Sequence, residues 1–321
     1  LMLSRSVTAS VLILLTSFSF GCNFTVARVY NARGLAHYQK REFDKAMACF
    51  DQAIRFNPQF AEAFTNRGLV YTELGNQDKA IADHDRAISI NPKLAIAFNN
   101  RGYAFYQKGA YDNAIADFDR ALRLDGKLAL AYSNRGLAYY EKKDYDRTIA
   151  DCTKAVAYNP RLAVAFNNRG LAHYMQRELT LAISDYDEAL RIQPLLAIAR
   201  SNRGLAHFDD GNFDLALADL NEAVRLSPLD YQAWITRART HQTMENIDRA
   251  IDDFTKAIEL TPYSFDGHYN RGLLYMKKGN KTEAASDFEW ILENAPFQEE
   301  KEEAIALLRK LGIKNISAKV Q

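Results

Sequence analysis

An arginine recurs every 34 residues from Arg33 to Arg271, through Arg67, Arg101, Arg135, Arg169, Arg203 and Arg237, with no insertion or deletion between copies. Glycine follows seven of the eight, and Ala238 follows Arg237. A register this strict constrains the fold more than composition can. Each segment must fold alike and bury its apolar face against its neighbours. The segments run 27–60, 61–94, 95–128, 129–162, 163–196, 197–230, 231–264 and 265–298.

Other places recur in the same frame. The fourth is mostly aromatic (Tyr30, Phe64, Phe98, Tyr132, Phe166, Trp234). The twentieth and twenty-seventh are mostly alanine, as in Ala46 and Ala53 or Ala114 and Ala121. The thirty-second is proline in every segment except the third, which has Gly126. Apolar residues three or four apart put one helix face toward a neighbour, so each segment reads as two amphipathic helices joined by a polar turn. Glycine and alanine at close-contact places let the two helices approach. Proline ends the second helix, because it lacks a backbone donor and disfavours a helical residue before it. Asn76, Asp144, Asn212, Asn246 and Asn280 stand where N-caps are expected. Asp44, Asp78, Asp112, Asp146, Asp214 and Asp248 follow in the first turn, at the positive end of the helix.

This pattern resembles the tetratricopeptide repeat (TPR) family, in an Asn-Arg-Gly flavour, over residues 27–298. The resemblance implies an all-α fold, a right-handed superhelical solenoid of eight helix-turn-helix repeats. It also implies that a protein or peptide is the partner. Residues 299–313 are expected to form a capping helix that covers the last repeat, with Gly312 ending it, and 314–321 a tail. The net charge of +1 gives no global attraction to nucleic acid. Eight repeats leave no room within these 321 residues for a separate catalytic domain. No phosphate-cradling glycine loop, zinc spacing or nucleophile elbow is present. The reading is therefore non-enzymatic, with no cofactor. His37, His173, His207 and His241 share the eleventh place, but a full repeat separates successive members, too far to share one metal ion.

Before the repeats, Arg5 precedes an apolar run from Val7 to Phe20. It is short for a membrane span and fits a secretory signal over residues 1–22. Cys22 after Gly21 resembles a bacterial lipoprotein processing site, although Ser19 stands where leucine is usual. The expectation is an exported chain in a bacterial cell envelope, with lipid attached at Cys22 or, alternatively, an uncleaved anchor. Cys49 and Cys152 lie in repeats one and four, too far apart for a disulfide.

The family's usual pattern is apolar at the seventh and twenty-third places. Here arginine at the seventh faces aspartate at the twenty-third in seven repeats: Asp83, Asp117, Asp151, Asp185, Asp219, Asp253 and Asp287. The planar guanidinium is expected to fork onto the carboxylate inside each hairpin; an anion-binding arginine stripe is the alternative. Repeat one departs, because Arg33 faces Cys49.

The resemblance puts the first helix of each pair on the concave wall. The sixth place there is asparagine: Asn66, Asn100, Asn134, Asn168, Asn202 and Asn270, with Thr236 between the last two. A carboxamide offers two donors and an acceptor, suited to a peptide backbone of any sequence. The row resembles the asparagine ladder of O-linked N-acetylglucosamine transferases, whose catalytic region is absent from these residues. Beside it run Tyr38, Tyr106, Tyr140, Tyr174 and Phe208 at the twelfth place, able to stack on client side chains. Both rows are candidate peptide-binding residues. The alternatives are that they only pack and bond within the stack, or that the chain is an assembly subunit that uses its convex face or ends and leaves the groove without a ligand. A clamp for C-terminal carboxylates needs lysine at the fifth and second places, where only Arg28 is basic.

Overall fold

The computed structural model describes residues 23–313, and these form seventeen helices and no strand. In chain order they are α1 (23–39), α2 (Phe43–Phe56), α3 (Ala61–Glu73), α4 (Gln77–Ile90), α5 (Ala95–Gln107) and α6 (Tyr111–Leu124). Next come α7 (Ala129–Glu141), α8 (Tyr145–Tyr158), α9 (Ala163–Met175), α10 (Leu179–Ile192), α11 (Ala197–Asp209) and α12 (Phe213–Leu226). The last are α13 (Tyr231–Thr243), α14 (Ile247–Leu260), α15 (Phe265–Lys278), α16 (Lys281–Asn294) and α17 (Gln298–Lys310). Two helices fall in each 34-residue segment, as the period requires. The described residues form two compact units, divided between 168 and 169. Within each, a first helix packs on its own second helix, and that second helix packs on the next first helix. Cys22, the proposed signal and the tail from 314 lie outside the described residues. No described helix is long and apolar enough to cross a membrane.

The second helices stop where proline predicts. The C-caps Asn57, Asn91 and Asn159 are extended, and each precedes a proline. Asp125 takes the same conformation before Gly126, so proline reinforces a turn that has a second cause. The side chains of Asn57, Asn91, Asp125 and Asn159 accept from the backbone N–H two residues on, at 3.0–3.1 Å. That bond closes a local turn without help from the ring.

The N-caps are only partly as expected. Asn76 and Asp144 accept from Lys79 N and Arg147 N. Asn212, Asn246 and Asn280 occupy cap positions without a side-chain cap bond. Asn212 donates its side-chain amide to Asp210 at 2.6 Å, a charge-assisted bond that fixes the carboxamide in another orientation. The turn before these caps has its own demand. The fifteenth place is left-handed in all eight repeats, with φ from 57° to 80°. Glycine fills it at Gly75, Gly109, Gly211 and Gly279, but Arg41, Lys143, Arg177 and Glu245 adopt it as well.

The hairpin core is built around the twenty-fourth place. Phe50, Phe118, Cys152, Tyr186, Leu220, Phe254 and Phe288 are fully buried there. Six of them lie under the glycine that follows the repeat's arginine, and Phe254 packs with Ala238 instead: a Cβ on Gly102 would sit 2.8 Å from the Phe118 ring and 3.1 Å from the Ala114 carbonyl. The glycine thus admits both a ring and a close backbone. Thr148 shows how close, since its hydroxyl bridges from α8 to the Gly136 carbonyl of α7 at 3.0 Å. In repeat two the buried place-24 residue is His84. At the far end, Ala304 and Leu308 of α17 are buried against Phe288, Ile291 and Leu292. Gly312, at φ 92°, follows the end of that helix. Cys49 and Cys152 are free thiols.

Candidate functional site

In seven of the eight hairpins the arginine forks onto its aspartate. Arg135 donates Nε and Nη2 to the two carboxylate oxygens of Asp151, at 2.6 and 2.7 Å. Arg67–Asp83, Arg101–Asp117, Arg169–Asp185, Arg203–Asp219, Arg237–Asp253 and Arg271–Asp287 repeat this two-pronged contact between 2.6 and 3.0 Å. All seven aspartates are buried. The hydrogen bonds to Asp83 push the Arg67 pKa further above its ordinary value, against the burial that lowers it. Arg33, facing Cys49, is exposed and takes no such partner among the described residues.

The third nitrogen does something the sequence reading missed. Nη1 of Arg67, Arg101, Arg135 and Arg203 donates to Asp51, Asp85, Asp119 and Asp187, at 2.5–2.7 Å. These residues occupy the twenty-fifth place of the preceding repeat. Each arginine therefore ties its hairpin to the one before. The aromatic fourth place completes the arrangement: the guanidinium of Arg67 stands 5.6 Å from the centroid of Phe64, and that of Arg237 4.7 Å from Trp234. With all three of their donor nitrogens engaged, Arg67, Arg101, Arg135 and Arg203 are joints between repeats and not an open anion stripe.

The asparagines of the sixth place also bond across repeats. Asn66 donates to Asn31 at 2.9 Å and Asn134 to Asn99 at 3.0 Å, in each case reaching the fifth place of the repeat before. Asn168 reaches Ser133 at 3.4 Å and accepts from Asn167 at 3.3 Å. Asn99 passes its own amide hydrogen to Asn100 at 3.0 Å. Asn66, Asn134, Asn168, Asn202 and Asn270 are half-buried. Asn100 is 5% exposed, and its Nδ2 is enclosed with no partner among the described residues. The reason lies at Thr65, the fifth-place residue it would meet, whose hydroxyl bonds the Ala61 carbonyl of its own helix. Asn270 likewise turns to its own helix, at Asp266 O.

The twelfth-place rings lean on the seventeenth place of their own hairpins. Tyr106 meets Tyr111, Tyr140 meets Tyr145, and Phe208 meets Phe213, with centroids 5.6–5.7 Å apart. The hydroxyls of Tyr106 and Tyr174 donate to Glu141 and Asp209, the thirteenth-place acids of the next repeat, at 3.1 and 2.5 Å. Burial first, then the neighbouring carboxylate, pushes both phenols above their ordinary pKa. They remain neutral donors. His37 and His173 are held by Glu42 and Glu178, at 2.5 and 2.6 Å.

TPR repeat models match residues 34–75, 68–109, 102–143 and 243–279. Tetratricopeptide repeat models match 129–162, 193–231 and 265–298. The chain belongs to the tetratricopeptide repeat family. Among solved structures it is similar to the crystal structure of the APC/C hetero-tetramer Cut9-Hcn1, with 16% identity and a TM-score of 0.70 over 84% of this chain. The chain spans only 52% of the length of that match. It is also similar to PilF of Pseudomonas aeruginosa, with 19% identity and a TM-score of 0.57, covering 69% of this chain and 97% of the other. These likenesses show the fold. No curated protein matches. Repeats of this family serve as protein-interaction scaffolds, and the family is generally non-catalytic.

Proposed function

We propose that the chain is a non-catalytic scaffold that holds an extended protein segment along its first-helix face, in the assembly or organisation of a bacterial envelope complex. The observation that carries the reading is how the asparagine carboxamides are held. Asn66 and Asn134 each spend one amide hydrogen on the preceding repeat while remaining half-buried. Pinned on one side, each presents its remaining donor and acceptor at a set angle, so a peptide backbone meets groups that need little ordering. Stacked helices lie about 8–10 Å apart and an extended chain advances about 3.3 Å per residue, so one rung serves about every third residue. Asn168, Asn202 and Asn270 extend the same chemistry, each within its own unit. Asn100, enclosed, serves the stack. Tyr106, Tyr140, Tyr174 and Phe208 border the row as half-buried walls.

Combined Asn66→Ala, Asn134→Ala and Asn168→Ala substitutions test this. Partners cross-linked in cells to the native chain are expected to be lost from the variant, with its helical circular dichroism unchanged. A folded variant that keeps every partner at native affinity overturns the reading. Export and anchoring through Cys22 belong to the same proposal. Palmitate is expected to label the native chain and not Cys22→Ser, and an unlabelled native chain removes the anchor.

A further inference from the structure

A cavity of about 560 Å³ opens in the second unit between α12, α13 and α14. None of the proposed peptide-binding residues lines it. Its centre is the Arg237 rung, and that rung is incomplete in a specific way. In four other rungs the third guanidinium nitrogen carries a carboxylate at 2.5–2.7 Å. At Arg237 the same nitrogen meets only the amide oxygen of Asn221, at 2.9 Å. The next rung repeats the change, with Arg271 on the Thr255 hydroxyl at 3.1 Å. Both neutral residues line the cavity. The acidic row of the second helices is thus interrupted here, as it is at Thr153 of the fourth repeat, which removes the carboxylate that an incoming anion would meet on the third nitrogen in those four rungs.

The rest of the lining is consistent with an anion. Arg249 and Lys256 join Arg237 as cations, against Asp252 and Asp253. Asp253 is taken up by the Arg237 fork. Lys256 reaches Glu259 at 2.6 Å, while Arg249 is exposed and makes no ion pair among the described residues. His241 lines the same space. It is 5% exposed, and its Nδ1 is enclosed without a hydrogen-bond partner among the described residues. Burial chiefly, helped by Arg237 and Arg249 and opposed by Asp253, lowers its pKa. The neutral ring keeps a nitrogen available for a ligand. Trp234 and Leu217 supply apolar wall.

We infer that this cavity receives the carboxylate of an acidic side chain on a partner peptide. The carboxylate displaces the Asn221 amide oxygen from Arg237 Nη1 and takes the place that an internal aspartate takes in those four rungs. Arg249 and His241 Nδ1 add donors to its second oxygen, and the aliphatic part of the segment lies on Trp234. This site is separate from the asparagine row, so either can fail alone.

The test uses fluorescence anisotropy on the full chain with two labelled, end-blocked peptides, one with a single glutamate beside a leucine and one with glutamine in its place. The glutamate peptide is expected to bind at least about tenfold more tightly, the effect of one charge-assisted contact. Asn221→Asp supplies the missing carboxylate from within and should abolish that preference without lowering the melting temperature. The triple alanine variant of the asparagine row should retain it. Equal binding of the two peptides overturns the inference, as does an undiminished preference in Asn221→Asp. Inorganic phosphate displacing the glutamate peptide more effectively than free glutamate also overturns it, by marking a phosphate site.

Discussion

Arg135 is shared between two repeats: Nε and Nη2 clasp Asp151 in its own hairpin, and Nη1 holds Asp119 in the one before, at 2.5 Å. Asp151 is 5% exposed, so the guanidinium stands where water would otherwise solvate the carboxylate. Asp151→Ala leaves a guanidinium half-buried and should cost about 3–5 kcal/mol. Replacing Arg135 and Asp151 together by leucine and alanine should cost clearly less, because the one charge then left without its partner, Asp119, has a side chain 36% exposed to water. Urea melts of the two variants measure this, and equal losses would contradict the pairing.

Arg177 and Lys143 hold a left-handed backbone at φ 65° and 60°, where a side chain costs roughly 1–2 kcal/mol relative to glycine. Arg177→Gly and Lys143→Gly should each stabilise by about 1 kcal/mol, part of the relief being offset by the freer unfolded chain. Thermal melts report it. A lowered melting temperature in both would mean that their side chains contribute more than the strain they impose.

His84 occupies a place where four other repeats have phenylalanine, and both its ring nitrogens lie buried without a hydrogen-bond partner among the described residues. Burial, reinforced by the charge of Arg101, pushes its pKa down to about 3 from 6.5. The folded chain therefore resists a proton that the unfolded chain accepts. Stability from this group is intact above pH 6.5 and drains away as pH falls toward 3, at up to about 1.4 kcal/mol per pH unit. His84→Phe should be more stable by about 1–3 kcal/mol at neutral pH and should flatten the acid limb. Melting temperatures of both proteins between pH 7 and 4 check it; parallel curves would refute the assignment.

Gly170 faces Tyr186, and a Cβ there would lie 2.8 Å from the ring and 3.1 Å from the Ala182 carbonyl. Tyr186 is fully buried and cannot swing away. Gly170→Ala should destabilise by about 1–3 kcal/mol through overpacking, as read by denaturant midpoints. A neutral effect would show that the hairpin opens freely.

Much of this was legible from spacing alone. The seven Arg–Asp forks could be foreseen because both partners hold constant places 16 residues apart within one hairpin. The second acceptor was hidden because its column mixes Asp51, Asp85, Asp119 and Asp187 with Asn221 and Thr255, a pattern that reads as ordinary exposed surface. The asparagine row was visible as a row, and bonding within the stack was open as an alternative, but not the partners that its inward bonds take. Those depend on a fifth place that alternates among asparagine, threonine and serine, and at Thr65 the hydroxyl prefers its own helix.

Helix boundaries, turns and register follow from local chemistry, where apolar spacing, a proline or Asx turn and a left-handed fifteenth residue act within a few residues of one another. Repetition of that chemistry eight times made it unmistakable. Which oxygen each rotatable donor finds is another matter. Asn134 meets Asn99 across 35 residues while Asn100 is left without Thr65, because stacking decides which rotamers come within hydrogen-bonding reach, and a competing bond of about equal worth can take the partner away. The cavity around Arg237 arises in the same way, from two neutral residues whose importance appears only when their helices stand beside the arginines they fail to neutralise.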